Sequence, residues 1–114
     1  MEAKFEVLFL KQAVEFLDNL DSKARIKIYY NIDKARLIND PKLFKKLEGE
    51  IWEFRTMFKG IQYRLIAFWD KSSSEQILVI SSHGIIKKES KVPKNEIKRA
   101  EKIRIEYFKF KNSK

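Results

Sequence analysis

Between Ile51 and Lys94 the sequence combines apolar, strand-like stretches with cationic side chains and the only histidine of the chain. The residues here that could act on a ligand are Arg55, Arg64, His83, Lys87, Lys88, Lys91 and Lys94. Arginine can hold a phosphate through two nitrogens, lysine supplies compact positive charge, and an imidazole with a pKa of about 6.5 can transfer a proton at neutral pH. These residue types suit a phosphate-rich ligand.

If the ligand is RNA, cleavage without a metal needs a base for the 2′-hydroxyl, cations for the charge growing at phosphorus, and an acid for the leaving oxygen. The residues assigned to catalysis are Arg64, His83, Lys87 and Arg55. Nearby cations should lower the pKa of His83 and favour the neutral base. The residues assigned to RNA binding are Lys88, Lys91, Lys94, Tyr63 and Lys59. The sequence indicates no metal site, and we expect no cofactor.

Each of these residues also has a structural interpretation. A lone histidine at the end of a strand is more often a hydrogen-bonded structural residue than a catalyst. Arg55 can pair with Glu53, and Tyr63 can belong to the core. Arg64 is the strongest candidate, because an arginine in an apolar strand costs desolvation energy unless it has a partner or a function.

The composition indicates a single domain over residues 1–114 with a polyanionic partner. Hydrophobic residues make up 44% of the 114 positions, which is enough for one two-layer core. Twenty-five Lys and Arg against 16 Asp and Glu give a net charge of +9, which favours nucleic acid over an anionic membrane. Because cysteines, long apolar runs and a signal-peptide pattern are absent, we expect a soluble, cytoplasmic protein.

The first half of the chain predicts a strand followed by two helices. The strand is predicted at Phe5–Leu10, and the helices at Lys11–Leu20 and Lys23–Asn39 repeat apolar residues at helical spacing. A turn of about two residues between the helices implies an antiparallel hairpin. The residues predicted to widen the buried stripe of the second helix are Ile26, Tyr29, Tyr30 and Leu37. Pro41–Glu50 is predicted to be a connector with one helical turn.

The second half predicts an antiparallel meander and a final helix. The strands are predicted at Ile51–Met57, Ile61–Asp70 and Gln76–Ser82, with a tight turn at Lys59-Gly60. A basic loop is predicted at Ile85–Pro93, and the helix begins at Pro93. The expected fold is α+β, with the N-terminal strand completing a mainly antiparallel four-stranded sheet. The helical hairpin covers one face, and the other face stays partly open.

Three local patterns point to a family. They are KLEGEIWEFR at Lys46–Arg55, GIQYRL at Gly60–Leu65 and SSHGIIKKESKVPKNEIKRA at Ser81–Ala100. Together they resemble the RelE/ParE toxin superfamily, and within it the phage-derived, HigB-like branch. The third pattern is the most diagnostic, since a strand end, His-Gly, a hydrophobic pair, Lys-Lys, Pro and a Glu-Ile helix start follow one another as in that branch. The resemblance covers about residues 5–107 and implies a RelE-like fold.

The resemblance implies a type II toxin that cleaves mRNA on the translating ribosome. As partners it implies mRNA, the ribosome and a cognate helix-turn-helix, HigA-like antitoxin, with no membrane. Arg64 matches the arginine that RelE-type enzymes aim at the scissile phosphate, and Lys87 and Lys88 fall where such enzymes place further cations. Ile51 and Glu53 stand near positions where such enzymes carry lysines, and the tyrosine that follows their last strand has no counterpart.

Two alternatives stay open, because the RelE set of catalytic groups is not reproduced. One is a ParE-like gyrase inhibitor without nuclease chemistry. The other is an inactive module of the same fold that only binds. His83 together with Lys87 and Lys88 favours the nuclease.

Overall fold

The described part of the chain contains three helices and a five-stranded sheet. The computed structural model describes residues 2–72, 78–87 and 91–113, with side chains at 82–86 within the second range. The strands are β1 (Glu6–Phe9), β2 (Phe44–Glu48), β3 (Ile51–Phe58), β4 (Ile61–Asp70) and β5 (Leu78–Lys87), and the helices are α1 (Lys11–Asp18), α2 (Ser22–Leu37) and α3 (Lys94–Asn112). Within these ranges no helix has an apolar stretch long enough to cross a membrane.

The sheet has the strand order β1-β5-β4-β3-β2. β1 runs parallel to β5, and the other neighbouring pairs are antiparallel. The core between the sheet and α1 and α2 includes Leu65 and Ala67 of β4. The residues that alternate with them along β4, Ile66 and Phe68, point to the other face and pack with Ala100 of α3. This arrangement confirms the predicted α+β, RelE-like fold.

The segment Pro41–Glu50, predicted to be a connector, contains strand β2, so the described sheet has five strands and not four. The ring of Phe44 stacks on those of Trp52 and Phe54, with centroids 4.9 and 4.4 Å apart, which fixes β2 against β3. Because β2 is an edge strand, exposed lysines interrupt its apolar pattern, and the sequence pattern does not predict a strand there.

β5 extends beyond the end predicted at Ser82. The last three residues of the strand, Ile85, Ile86 and Lys87, pair with Arg64, Tyr63 and Gln62 of β4. The predicted loop at Ile85–Pro93 is therefore wrong for these three residues, while the predicted strand start at Gln76 lies outside the described residues. β5 has a bulge opposite Ile66 and Ala67 of β4, where Ser82 is an extra residue without a paired partner. This residue shifts the alternation of inward and outward side chains along β5.

Helix α2 buries one narrow stripe. The buried residues are Ala24, Ile28, Asn31, Ile32 and Ala35. The four residues predicted to widen this stripe are exposed instead, with Ile26, Tyr29, Tyr30 and Leu37 at 65, 41, 58 and 37%. The reason is that α2 packs on the sheet through one side only. Of the four residues, Tyr29 lies nearest to the sheet, where its ring contacts that of Phe9 of β1 edge-on, with centroids 5.9 Å apart.

Gly84 allows close packing of α1 on β5. A Cβ atom at this position would lie 2.2 Å from Cδ2 of Phe16. Any larger side chain would therefore have to displace the Phe16 ring. The glycine beside the histidine is required for the approach of the two elements.

At the end of β4, Asp70 anchors the C-terminal part of α3. Its Oδ2 accepts hydrogen bonds from the Tyr107 hydroxyl at 2.7 Å and from Lys111 Nζ at 2.6 Å, and its Oδ1 accepts one from the Ser72 hydroxyl at 2.6 Å. Burial opposes ionisation, but the hydrogen bonds from Lys111, Ser72 and Tyr107 outweigh it and hold the pKa of Asp70 well below its usual range. Burial and the hydrogen bond to Asp70 raise the pKa of Tyr107 to about 12.

We expect Asp70→Asn to lower the free energy of unfolding by about 1–3 kcal/mol at pH 7, because the charged acceptor for Lys111 is lost. In the wild type this contribution is complete above the unfolded pKa of 3.8 and is lost as the pH falls below it, since the folded pKa is depressed. Urea unfolding should show a larger difference in the free energy of unfolding between the wild type and Asp70→Asn at pH 7 than at pH 3. Lys109→Ala, at an exposed position in the same turn of α3, is the control, and an equal loss in the two variants would contradict the anchor.

Candidate active site

Polar side chains cross the sheet in two adjacent rows, on the face that α3 partly covers. The first row consists of Lys45, Glu53, Ile66 and His83, which lie opposite one another on β2, β3, β4 and β5. The second row consists of Arg55, Arg64 and Ile85. Residues directly paired across antiparallel strands point to the same face. The strand register therefore brings Glu53, Arg64 and His83 to one face of the sheet.

Glu53 and Arg64 form a buried ion pair in these rows. Their side chains are 1% and 2% exposed, and Arg64 Nη1 lies 2.8 Å from Glu53 Oε1 and 3.2 Å from Oε2. Arg55 Nε lies 4.0 Å from the same carboxylate. Burial raises the pKa of Glu53 above its usual range, although the charges of Arg64 and Arg55 act in the opposite direction. Glu53 is therefore a stronger base than an exposed glutamate.

A cavity of about 360 Å³ opens over this ion pair. Its lining residues are Lys45, Leu47, Glu48, Glu53, Arg64, Lys91, Val92, Lys94 and Ile97. Lys45, Lys91 and Lys94 are exposed, whereas Glu53 and Arg64 are buried. Three lysines against the one exposed carboxylate of Glu48 give the entrance a net positive charge, and an ion pair lies at the base of the cavity. This arrangement suits an anionic group such as a phosphate.

His83 lies beneath α3 with its side chain 2% exposed. The Ser82 hydroxyl donates to the Ile66 carbonyl at 2.9 Å, so it is left to accept the proton of His83 Nδ1 at 3.1 Å. Nε2 has no hydrogen-bond partner among the described residues, and Glu96 Oε2 lies 3.7 Å away. Burial, followed by the charge of Arg99, lowers the pKa of His83 to about 4. The imidazole is therefore neutral at pH 7.

Four of the cationic residues predicted from the sequence lie at or beside the cavity. Lys91 and Lys94 line it together with Arg64, and Arg55 lies near it, with its Nε 4.0 Å from the Glu53 carboxylate. Lys87 pairs with Gln62 of β4 through its backbone, but its side chain and the whole of Lys88 lie outside the described residues.

Two of the residues predicted to bind RNA are placed elsewhere. Tyr63 is 8% exposed and belongs to the core beneath α1 and α2, because it precedes Arg64 in β4 and points to the opposite face. Lys59 occupies the turn between β3 and β4 with a φ of 51°, and its Nζ lies 5.4 Å from the centroid of the Phe58 ring. The structure does not bring Tyr63 to the cavity.

Glu53 and Lys45 line the cavity, but neither was predicted from the sequence to take part in catalysis or RNA binding. Glu53 carries the same signal as Arg64, a charged side chain between apolar neighbours of a strand, and the two signals belong to one ion pair. Lys45 could not be assigned, because its position opposite Glu53 depends on strand β2.

The mixed sheet, with the two N-terminal helices on one face and α3 on the other, defines a RelE-like α+β protein. The family model described as phage derived protein Gp49-like (DUF891) matches residues 15–104. The chain therefore belongs to the Gp49-like, phage-derived family, which is part of the RelE/toxin-like group. Among curated proteins, none matches the chain significantly. The predicted toxin superfamily and phage-derived branch are confirmed, while the narrower HigB-like assignment stays a prediction.

Proposed function

We propose that this chain is the toxin of a type II toxin–antitoxin system, and that it inhibits translation by cleaving mRNA on the ribosome. The observation that carries the proposal is the cavity at whose base Arg64 and Glu53 lie, with Lys45, Lys91 and Lys94 around it. Membership of the toxin-like Gp49 family supports the same conclusion. As partners we propose mRNA, the cytoplasmic ribosome and a cognate helix-turn-helix antitoxin, on the resemblance described above.

In the proposed reaction an RNA phosphate enters the cavity and is held by the guanidinium of Arg64. The Glu53 carboxylate accepts the proton of the 2′-hydroxyl, and the freed oxygen attacks phosphorus. The bond to the 5′-oxygen breaks, and an ammonium at the entrance, Lys91 or Lys94, gives that oxygen a proton. The products are a 2′,3′-cyclic phosphate and a 5′-hydroxyl. Each proton transfer contributes a factor on the order of 10² to 10⁴.

Glu53 suits the role of base in this reaction better than His83 does. The carboxylate lines the cavity beside Arg64, whereas the imidazole is covered by α3. Burial also makes Glu53 more basic and His83 less basic than usual, because it raises the pKa of the first and lowers that of the second. We therefore assign the proton acceptor to Glu53 and a positioning role beneath α3 to His83.

Induction of the chain in bacteria, followed by mapping of mRNA 5′ ends, tests the proposal. We expect new 5′ ends with the wild type and a loss of about tenfold or more with Lys91→Ala/Lys94→Ala, which removes cations from the phosphate site. The matched control is Lys98→Ala/Lys102→Ala, which removes two exposed lysines of α3 that do not line the cavity. This control should cleave as the wild type does.

Three results would contradict the proposal. Growth arrest with intact mRNA and damaged DNA would indicate a ParE-like gyrase inhibitor. A folded protein without toxicity would indicate a binding module. Equal cleavage by the cavity variant and the α3 control would place the chemistry outside the cavity.

A further inference from the structure

A second cavity, of about 250 Å³, lies where the chain passes from α2 to β2, and we call it the aromatic cavity. Four aromatic rings and two charged side chains line it; these residues are Phe5, Phe44, Trp52, Trp69, Lys4 and Asp40. Trp52 is paired with Ala67 of the core beneath α1 and α2, so the aromatic cavity lies on the opposite face of the sheet from Arg64. It therefore has no part in the proposed nuclease chemistry.

The rings of the aromatic cavity form walls that meet close to a right angle. Phe44 stacks on Trp52, with centroids 4.9 Å apart and planes 26° apart. Trp69 stands across this stack, at 71° to Phe44 and 87° to Trp52. All three side chains are only partly buried, so part of each ring remains accessible. Such walls can surround an ammonium group and offer it several ring faces, which are the negative part of each ring.

Trp69 already attracts one cation from the chain itself. The Nζ of Lys71 lies 5.5 Å from the centroid of the Trp69 ring. This distance is within the range of about 6 Å over which a ring face attracts a cation. Lys71 does not line the aromatic cavity, so this contact leaves the cavity itself open to a ligand.

One carboxylate and one ammonium group complete the lining. Asp40 Oδ1 accepts a hydrogen bond at 2.9 Å from the backbone N–H two residues later, which orients its side chain. Lys4 is exposed, and its backbone N–H donates to the Arg36 carbonyl at 2.7 Å. The guanidinium of Arg36 pairs with Glu6 at 2.6 Å and with Asp33 at 3.4 Å, so two carboxylates that do not line the cavity balance its charge. The cavity therefore offers one negative and one positive group beside aromatic walls.

From this arrangement we infer that the aromatic cavity binds a small zwitterion that carries a methylated ammonium group and a carboxylate or phosphate. The ammonium lies against the rings of Trp52 and Trp69 with Asp40 as its counter-charge, and the anionic end pairs with Lys4. Methylation suits the aromatic walls, because a quaternary ammonium group has no hydrogen-bond donors to satisfy. A neutral apolar ligand would leave both charges unused, and a simple cation would lie near Lys4 without an anion to balance it.

Tryptophan fluorescence tests the inference without a label, because both tryptophans of the chain, Trp52 and Trp69, line the aromatic cavity. The purified full chain is titrated with trimethylglycine, with tetramethylammonium, and with the anion of tert-butylacetic acid, which has the shape of trimethylglycine but a carbon in place of the charged nitrogen. We expect half-saturation by trimethylglycine at about 1–10 mM, as is reasonable for so small a ligand. Tetramethylammonium should bind about fivefold more weakly, because it cannot pair with Lys4, and the carbon analogue should not saturate.

Two variants separate the charges of the cavity. Asp40→Asn retains an acceptor for the backbone N–H and loses the charge, so it should weaken trimethylglycine by about tenfold or more. Lys4→Gln should lower the affinity for trimethylglycine to that for tetramethylammonium without weakening the latter. Asp18→Asn, at an exposed position of α1 that does not line the cavity, is the matched control and should leave both affinities within about twofold. Circular dichroism checks the folding of each variant.

The methylated ammonium zwitterion can come from a free solute or from the phosphocholine headgroup of a lipid. Binding of trimethylglycine without sedimentation on phosphatidylcholine vesicles would identify the free solute. Sedimentation on these vesicles that Asp40→Asn abolishes would identify the headgroup. Either result supports the assigned chemistry.

Several outcomes would overturn the inference. One is the absence of saturation, in fluorescence and in titration calorimetry, up to about 0.1 M trimethylglycine. Another is equal affinity for trimethylglycine and its carbon analogue, which would show that the cavity selects for shape alone. Unchanged binding in both Asp40→Asn and Lys4→Gln would place the ligand elsewhere, and tighter, Asp40-dependent binding of adenosine would assign the rings to a nucleobase.

Discussion

Replacing Arg64 by methionine should lower the free energy of unfolding by about 3–5 kcal/mol at pH 7, because it leaves the buried Glu53 carboxylate without its nearest partner. Arg64 Nη1 lies 2.8 Å from Glu53 Oε1, and the two side chains are 2% and 1% exposed. Methionine fills much of the volume of arginine. The loss in the free energy of unfolding therefore comes mainly from the missing charge and less from an empty cavity. Denaturant unfolding at pH 7 measures it, and RNA cleavage should disappear in the same variant.

The pH dependence of this loss identifies the stranded carboxylate. Without Arg64, the pKa of Glu53 in the folded protein should rise further above the unfolded value of 4.5. The folded variant then binds more protons than the unfolded chain, so its deficit relative to the wild type should shrink as the pH falls from 7 towards 4.5. A deficit that stays constant over this range would contradict the assignment.

A double replacement separates the ion pair from the packing. Glu53→Leu/Arg64→Met removes both charges and should recover most of the lost stability, since a buried pair can be exchanged for apolar side chains at little cost. It should not recover RNA cleavage. Arg104→Met, which breaks a partly exposed pair with Glu101 at 3.6 Å, is the arginine control and should cost less than the Arg64 replacement, by about 1 kcal/mol or more. If the double variant is less stable than Arg64→Met alone, the two charges are not coupled as described.

Acidification from pH 6.5 to pH 4 should cost the wild type about 3 kcal/mol of stability through His83 alone. The unfolded imidazole binds its proton below a pKa of 6.5, whereas burial, followed by the charge of Arg99, lowers the folded pKa to about 4. Between these values the unfolded chain holds more protons, so the folding equilibrium shifts towards the unfolded state as the pH falls. This window lies above the range in which Asp70 loses its contribution.

His83→Asn should remove this part of the pH dependence while retaining an acceptor or donor for the Ser82 hydroxyl 3.1 Å away. Urea unfolding of both proteins across pH 4.5–7 gives the slope of the free energy of unfolding against pH for each. Glu53 contributes to both slopes equally, so it drops out of their difference. Because His83 is the only histidine, its ring protons in an NMR titration report the folded pKa directly. A midpoint near the unperturbed value, or equal slopes in the two proteins, would show that α3 does not bury the imidazole.

Several features of the fold follow from local patterns. Helical spacing of apolar residues predicts α1, α2 and α3, and the tight turn at Lys59-Gly60 predicts the β3–β4 hairpin, where both residues adopt a positive φ. β2 and the end of β5 could not be predicted in this way. An edge strand shows lysines to the solvent, and the bulge at Ser82 shifts the alternation.

The candidate site could be predicted only as a set of residue types. Arg64 was identifiable because a charged side chain in an apolar strand requires a partner or a function. The partner, Glu53, lies 11 positions earlier and meets it only through the β3–β4 register. Lys91 and Lys94 line the cavity together with Arg64 of β4, which no local sequence pattern indicates.

The amino-acid sequence by itself determined the α+β class, the hairpin and the excess of positive charge, and it identified Arg64 as the strongest candidate for a site residue. Tertiary structure alone decided which side chains are covered. The burial of His83 depends on α3 packing above β5, and the exposure of Ile26 and Tyr30 depends on the sheet contacting only one side of α2. The physical reason is that burial and charge pairing are properties of neighbours in space, and these neighbours come from elements far apart in the chain.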